Sequence, residues 1–65
     1  MNRETTLKST TFEIERKRFR LELRENRNGR FVKLTESTNR RRNIVIIPAS
    51  GLGELGQALG AMAQF

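Results

Sequence analysis

The side chains best suited to chemistry lie between residues 24 and 33, in the stretch RENRNGRFVK. Arginine is a planar donor that fits phosphate oxygens with two hydrogen bonds. Asparagine can bond to base edges or phosphates, and an exposed aromatic ring such as Phe31 can stack on a base. This pattern predicts a surface that holds a phosphate-bearing chain. The alternative is an ordinary solvated strand face, with Phe31 covered by another subunit.

The charge distribution supports a phosphate-bearing partner. The net charge is +6, and all 13 Lys and Arg residues lie at or before Arg42. Residues 49–65 carry one charge, that of Glu54. Such a partition favours nucleic acid as the partner ahead of an anionic membrane. No apolar run of 18 residues exists, so we expect no membrane-spanning helix and no membrane partner.

Groups that usually perform catalysis are scarce in this sequence. It has no Cys, His or Asp, and most of its Glu residues alternate with Arg and Lys, which explains them as solvated ion pairs. The Gly-x-Gly at 51–53 lacks the rest of a phosphate-loop motif. We therefore expect no enzymatic activity, no cofactor, no metal and no small-molecule substrate.

Two segments near the N-terminus alternate apolar and polar residues with a period of two, the pattern of half-buried strands. They are residues 10–16 and 18–25. A two-residue turn at Arg16-Lys17 would place Ile14 opposite Phe19.

The Asn28-Gly29 pair predicts a second hairpin with a type I′ turn. That register puts Arg24 opposite Lys33, and like charges in that position destabilise a sheet. A four-residue loop would instead pair Glu22 with Lys33. The sequence leaves two explanations open: the longer loop, or an anionic ligand that relieves the repulsion.

A turn at 37–40 and a fourth strand at 43–47, ended by Pro48, complete the predicted sheet. Ile44 and Ile46 are expected in the core, and Val45 and Ile47 on the other face. After Pro48 the apolar spacing becomes helical, with Ser50 as the expected N-cap.

This order predicts an α+β fold, β-β-β-β-α, in which a four-stranded antiparallel sheet precedes one C-terminal helix. Residues 1–6 are expected to be flexible and 7–65 to form one repeat. One helix covers only part of such a sheet, and interior glycines destabilise a helix unless another backbone approaches. We therefore expect a homodimer. The residues expected at its interface are Leu52, Leu55, Gly56, Leu59, Gly60, Met62 and Ala63.

The polar face of the sheet and the nearby turn form the expected binding surface. Its residues are Arg18, Arg20, Arg24, Asn26, Arg27, Asn28, Arg30, Phe31, Lys33 and Arg41. Phosphate contacts should dominate affinity, with Asn26 and Phe31 adding a modest base preference.

The stretch KRFRLELRENRNGRFVKLTESTNRRRNIVIIPASG, residues 17–51, resembles one repeat of the PUR family of purine-rich-element-binding single-stranded DNA and RNA proteins. Its last part is similar to plant-type members. The resemblance implies a β-β-β-β-α, whirly-like repeat, of which two intertwine with crossing helices. It also implies nucleic-acid contacts by five residues: Arg24, Asn26, Arg27, Asn28 and Arg41. One position departs from the family: Arg20 stands where an aromatic residue is expected to wedge between bases, which puts strand separation in doubt.

Together these observations predict an intracellular dimer that binds single-stranded DNA or RNA, purine- or G-rich by preference, through its basic sheet face. Two alternatives keep the fold. One is a dimeric protein adaptor whose arginine-rich face meets an acidic protein, and the other is a transcriptional coactivator.

Overall fold

The computed structural model describes residues 3–65 as one antiparallel sheet followed by a helix. The strands run in the order β1-β2-β3-β4. This architecture confirms the predicted four strands and C-terminal helix. β1 starts two residues before the repeat boundary predicted at residue 7, and Met1 and Asn2 lie outside the described residues. The elements are β1 Thr5–Ile14, β2 Lys17–Asn26, β3 Gly29–Ser37, β4 Arg42–Pro48, a 3-10 turn Ala49–Gly51 and α1 Leu52–Ala63.

The first hairpin turns one position earlier than expected. Ile14 pairs with Lys17, and the turn residues are Glu15 and Arg16, so the predicted turn at Arg16-Lys17 is wrong. Their φ angles of 48° and 75° suit a type I′ turn, which matches the twist of the strands. The shift keeps the same parity, so the apolar residues stay on one face and Phe12 stacks on Phe19 with ring centroids 5.7 Å apart.

The second hairpin adopts the longer-loop register. Glu22 pairs with Lys33, and Arg24 pairs with Phe31. The predicted type I′ turn at Asn28-Gly29 is wrong because, of these two residues, only Gly29 has a positive φ, at 130°. The side-chain Oδ1 of Asn26 accepts a hydrogen bond from the backbone N–H of Asn28 at 2.8 Å, which stabilises the turn locally. Arg24 and Lys33 are therefore not directly opposite each other, and this pairing gives no support for an anionic ligand.

Strand β4 presents the opposite faces from those expected. Val45 pairs with Leu34 and Ile47 with Val32, which places both on the apolar face. Ile44 and Ile46 lie on the other face, so their predicted place in the core is wrong. An unbroken run of four β-branched residues carries no alternation from which the faces could be assigned.

We call the face that bears Phe12, Phe19, Leu21, Leu23, Val32 and Leu34 the inner face, and the opposite one the outer face. The inner face and α1 line an open apolar pocket of about 570 Å³. Val32, at 9% exposure, is the one buried apolar residue among residues 3–65. The helix buries no residue. The apolar space between the inner face and α1 is therefore open to solvent.

The helix begins at Leu52, one residue later than a helix with Ser50 as its N-cap would begin. Gly51 occupies the N-cap position and makes no side-chain cap, while Ser50 lies within the preceding 3-10 turn. The prediction of Ser50 as N-cap is therefore wrong. Glu54 lies in the first turn of α1, where its charge is favourable to the helix dipole. Within residues 3–65 no helix has both the length and the apolar character needed to cross a membrane.

Candidate nucleic-acid interface

The outer face carries most of the predicted site in two neighbouring rows. Strand alternation and register bring together six of the predicted residues: Arg18, Arg20, Arg24, Asn26, Phe31 and Lys33. Alternate residues of a strand lie about 7 Å apart, so the β2 row from Arg18 to Arg24 is about 20 Å long. A chain of phosphates lying along β2 would meet several cations in succession.

An open cleft lies at the hairpin end of this face. Phe31 stands between Arg24 on β2 and Pro48 on β4, its partners in the two ladders. The cleft measures about 360 Å³ and combines amide groups with an apolar floor that can receive a planar ring. Its lining residues are Glu4, Asn26, Asn28, Gly29, Arg30, Phe31, Ile46 and Pro48.

Arg24 is held between two carboxylates. Its Nη1 lies 3.6 Å from Glu22 Oε2, and its Nε lies 3.3 Å from Glu4 Oε1. The Nε atom is buried and donates no hydrogen bond among the described residues. These contacts fix the guanidinium electrostatically while leaving its hydrogen-bonding capacity incompletely used.

Arg30 lies on a different side from the other predicted cations. It pairs with Glu25 across the ladder, on the inner-face parity, and its Nε donates to Glu25 Oε2 at 3.0 Å. Arg27 and Asn28 form the exposed turn of the hairpin, and Asn28 also lines the cleft. Within residues 3–65, Arg27 forms no ion pair of 4.0 Å or less, whereas Arg30 is paired with Glu25.

Arg41 was expected beside Arg20 and Arg24, and the structure places it elsewhere. It ends the β3–β4 turn, where Thr38 N–H donates to its carbonyl at 2.9 Å and its own N–H donates to Thr38 Oγ1 at 3.3 Å. The first residue of β4 is Arg42, which pairs with Ser37 on the outer face. Arg42, and not Arg41, is therefore the arginine that lies on the outer face of β4.

A second group of cations lies at the end of the sheet that carries the β1–β2 and β3–β4 turns, away from the cleft. Within residues 3–65, these cations lie in no ion pair of 4.0 Å or less. The group consists of Arg16, Arg18, Arg40, Arg41 and Arg42. A chain crossing the outer face would thus meet positive charge at both ends.

A polar network closes the inner face at the same end. Lys17 Nζ lies 2.9 Å from Glu36 Oε2, and Asn43 Nδ2 donates to Glu36 Oε1 at 3.1 Å. The hydrogen bond from Lys17 and then that from Asn43 lower the pKa of Glu36 from its usual 4.5. This network joins β2, β3 and β4 and marks the rim of the apolar surface.

The residues predicted for the dimer interface divide into three groups. Leu52, Leu55, Gly56 and Leu59 line the apolar pocket beneath the sheet. Met62 lines a separate shallow depression with Ala58, Ala61 and Phe65. Gly60 and Ala63 lie on the exposed helix and line neither surface.

Sequence reasoning did not single out Glu4, Glu22, Arg42, Ile46 or Pro48 as parts of the site. Glu22 had a usable signal, because it is the one acidic residue in the alternating outer row of β2 between Arg18 and Asn26. Ile46 and Pro48 had none, since their place depends on the β3–β4 register. Glu4 comes near Arg24 only because a bulge between Thr6 and Lys8 shifts the register of β1.

A twisted four-stranded sheet with a trailing helix, an uncovered apolar face and an arginine-rich opposite face defines this chain as a small sheet-based α+β repeat. The chain belongs to the family described as PurA ssDNA and RNA-binding protein, whose profile matches residues 1–65.

One curated relative shows the same kinship. The chain is 41% identical over 46 residues to Transcription factor Pur-alpha 1 of Arabidopsis thaliana, a match that covers 71% of this chain. It spans only 16% of that protein. No solved structure matches the chain significantly. The family resemblance drawn from residues 17–51 is thereby confirmed.

Proposed function

We propose that the chain binds single-stranded DNA or RNA across the outer face of its sheet. The observation that carries this proposal is the shared face of Arg18, Arg20, Arg24 and Lys33, with Phe31 at its end. The cations would contact phosphates and supply most of the affinity. Membership of the PurA family supports the same ligand class.

The shape of the hairpin cleft favours a single strand over a duplex. Phe31, Ile46 and Pro48 offer an apolar surface on which an unstacked base can lie. Paired bases in a duplex keep their faces covered by their neighbours, so stacking on a protein ring requires an open strand. The amides of Asn26 and Asn28 lie at the same cleft and would bond to base edges. Asparagine suits adenine edges and arginine suits guanine edges, so the amides together with Arg30 at this cleft favour purine-rich strands.

The functional unit that we propose is a homodimer, in which a second copy covers the inner face. The chain exposes 5897 Å², whereas a folded monomer of 7.5 kDa exposes about 4,200 Å². The excess is about 1,700 Å² per chain, so a pair would bury about 3,400 Å², within the range of obligate dimers. A partner on this face would bury apolar side chains that are each at least half exposed: Ile14, Val45 and Leu59.

Binding can be tested by fluorescence anisotropy on G-rich and C-rich single strands, as DNA and as RNA, and on the matching duplex. We expect the G-rich single strand to bind best and affinity to fall steeply with salt. Arg24→Ala combined with Arg27→Ala should weaken binding at least tenfold. Lys8→Ala combined with Lys17→Ala is the matched control, since it removes two cations of the inner-face parity.

A competition assay separates this function from the adaptor alternative. Polyglutamate has the charge of an acidic protein but no bases. We expect it to displace a G-rich oligonucleotide only at a large excess of charge. The proposal would be contradicted if polyglutamate displaced the oligonucleotide as well as a nucleic acid of equal charge. It would also be contradicted if oligonucleotide affinity changed neither with salt nor on the double substitution.

A further inference from the structure

Glu22 is the one buried polar or charged residue of residues 3–65, with 8% of the whole residue exposed, yet it lies on the cationic outer face. Its Oε2 is 3.8 Å from Arg20 Nη2 and 3.6 Å from Arg24 Nη1. Lys33 stands directly opposite it on β3. Glu22 is thus an anion surrounded by the three cations at the middle of the proposed binding face.

A carboxylate in this place carries an electrostatic penalty for binding a polyanion. On charge alone, its removal should improve the affinity for nucleic acid. A charged group so poorly exposed is retained where it is paired with opposite charge. The structure shows that pairing: both neighbouring guanidinium groups of β2 converge on the same oxygen.

We propose that Glu22 is a positioning residue that orients Arg24, and with it Arg20, for phosphate contact. The proposal rests on nucleic-acid binding by the outer face. Free arginine side chains lose much rotamer freedom when they bind, and a contact that fixes them beforehand reduces that loss. Arg24 is only 20% exposed and lies beside Phe31, so its orientation also decides how phosphate and base are placed relative to each other.

The two carboxylates that contact Arg24 differ in a way that assigns this role to Glu22. The side chain of Glu22 is 11% exposed and sits in the middle of a central strand. That of Glu4 is 45% exposed and lies just before an edge strand. A polyanion can displace Glu4 without disturbing the sheet, whereas Glu22 stays in contact with Arg24 when the ligand arrives.

The test is whether Glu22→Gln weakens or strengthens binding to a single strand. This substitution preserves the shape of the side chain and raises the net charge from +6 to +7. We expect the affinity for a G-rich single strand to fall about three- to tenfold, the scale of one or two lost oriented contacts. The slope of log affinity against log salt should become shallower by about 0.7, the value for one lost phosphate contact on a single strand.

Glu13→Gln is the matched control, because Glu13 is an exposed outer-face residue opposite Arg18 and forms no ion pair of 4.0 Å or less within the described chain. The same charge change there should leave affinity equal or slightly higher. If Glu22→Gln also binds as well as the wild type or better, the positioning role is overturned while nucleic-acid binding stands. If the wild type shows no salt-dependent binding, the proposed function itself has failed.

A double-mutant cycle separates positioning from a general structural effect. In an Arg24→Ala, Arg20→Ala background, Glu22→Gln should no longer weaken binding, since the groups it orients are gone. A persistent loss in that background would contradict the proposal. Should Glu22→Gln fail to fold, Glu22→Asp replaces it, because it keeps the charge but withdraws the carboxylate; unchanged affinity would then overturn the role.

Discussion

Arg24 lies directly opposite Phe31 in the β2–β3 ladder, so a cation and an aromatic ring stand next to each other on the outer face. The Cα atoms of directly paired antiparallel residues lie about 4.5–5.5 Å apart, which is close enough for one nucleotide to meet both side chains. Under the proposed function, phosphate binding and base stacking would be coupled at this pair, and the Phe31→Leu prediction depends on that coupling.

Phe31→Leu should weaken binding to single strands and also reduce the modest base preference. The substitution keeps apolar volume but removes the aromatic face on which a base stacks, a contact worth about 1–3 kcal/mol. We expect the discrimination between G-rich and C-rich strands to shrink while the salt slope stays unchanged. Phe12→Leu changes an inner-face ring and serves as the control. Equal effects of both substitutions on base preference would contradict a stacking role for Phe31.

Gly56→Leu should dissociate the proposed dimer. Gly56 lines the apolar pocket beneath the sheet, and no atom lies within 4 Å of a Cβ built there, so the isolated chain tolerates the side chain. The partner helix that we place in that space would not. Sedimentation at micromolar concentration should show about 15 kDa for the wild type, twice the 7.5 kDa chain, and a lighter species for the variant.

Gly53→Ala supplies the comparison, because Gly53 lies on α1 but does not line the pocket. Alanine at an exposed helix position should stabilise the protein, by up to about 1 kcal/mol. A folded wild-type monomer at that concentration would contradict the dimer, and so would a Gly56→Leu variant that still sediments at twice the chain mass.

Gly29→Ala should destabilise the second hairpin by about 1–3 kcal/mol. The backbone there has a φ of +130°, which residues other than glycine rarely adopt, although there is space for a Cβ. Thermal unfolding followed by circular dichroism measures the change. A melting temperature equal to that of the wild type would show that the turn relaxes without cost and that its register does not depend on Gly29.

The network around Glu36 predicts a loss of stability in acid. Its pKa is lower in the folded chain than the usual 4.5, so the contribution is complete above about pH 4.5 and disappears as pH falls through the folded value. Glu36→Gln should be less stable than the wild type at pH 7, and the gap in melting temperature should narrow at pH 3. A constant gap would contradict the role of the Lys17 and Asn43 contacts.

For β1, β2 and β3, the sequence predicted the face on which each residue lies better than it predicted which residues pair across the ladders. Alternation assigns Leu21 and Leu23 to one face whichever turn is used, because both candidate registers shift the pairing by two and keep its parity. The exact turns depended on backbone angles that the residue types did not reveal. Glu15 and Arg16 adopt left-handed conformations that such residues seldom occupy.

Part of the candidate site lay beyond sequence reasoning for a physical reason. The faces of β4 follow from the tight Thr38–Arg41 turn and the resulting ladder, since its run of four β-branched residues fits either face. Ile46 and Pro48 reach the cleft through that register alone. The burial of Glu22 likewise depends on three strands coming together, so composition marked it only as one more solvated glutamate.

The most direct test of the outer-face account is methyl NMR of the chain titrated with a G-rich single strand. Strand β4 carries methyl groups on both faces: Ile44 and Ile46 on the outer face, Val45 and Ile47 on the inner face. We predict the largest shifts at Ile46, beside Phe31 in the cleft, with Val45 and Val32 nearly unmoved. Shifts concentrated at Val45 and Val32, with Ile46 unchanged, would contradict binding by the outer face.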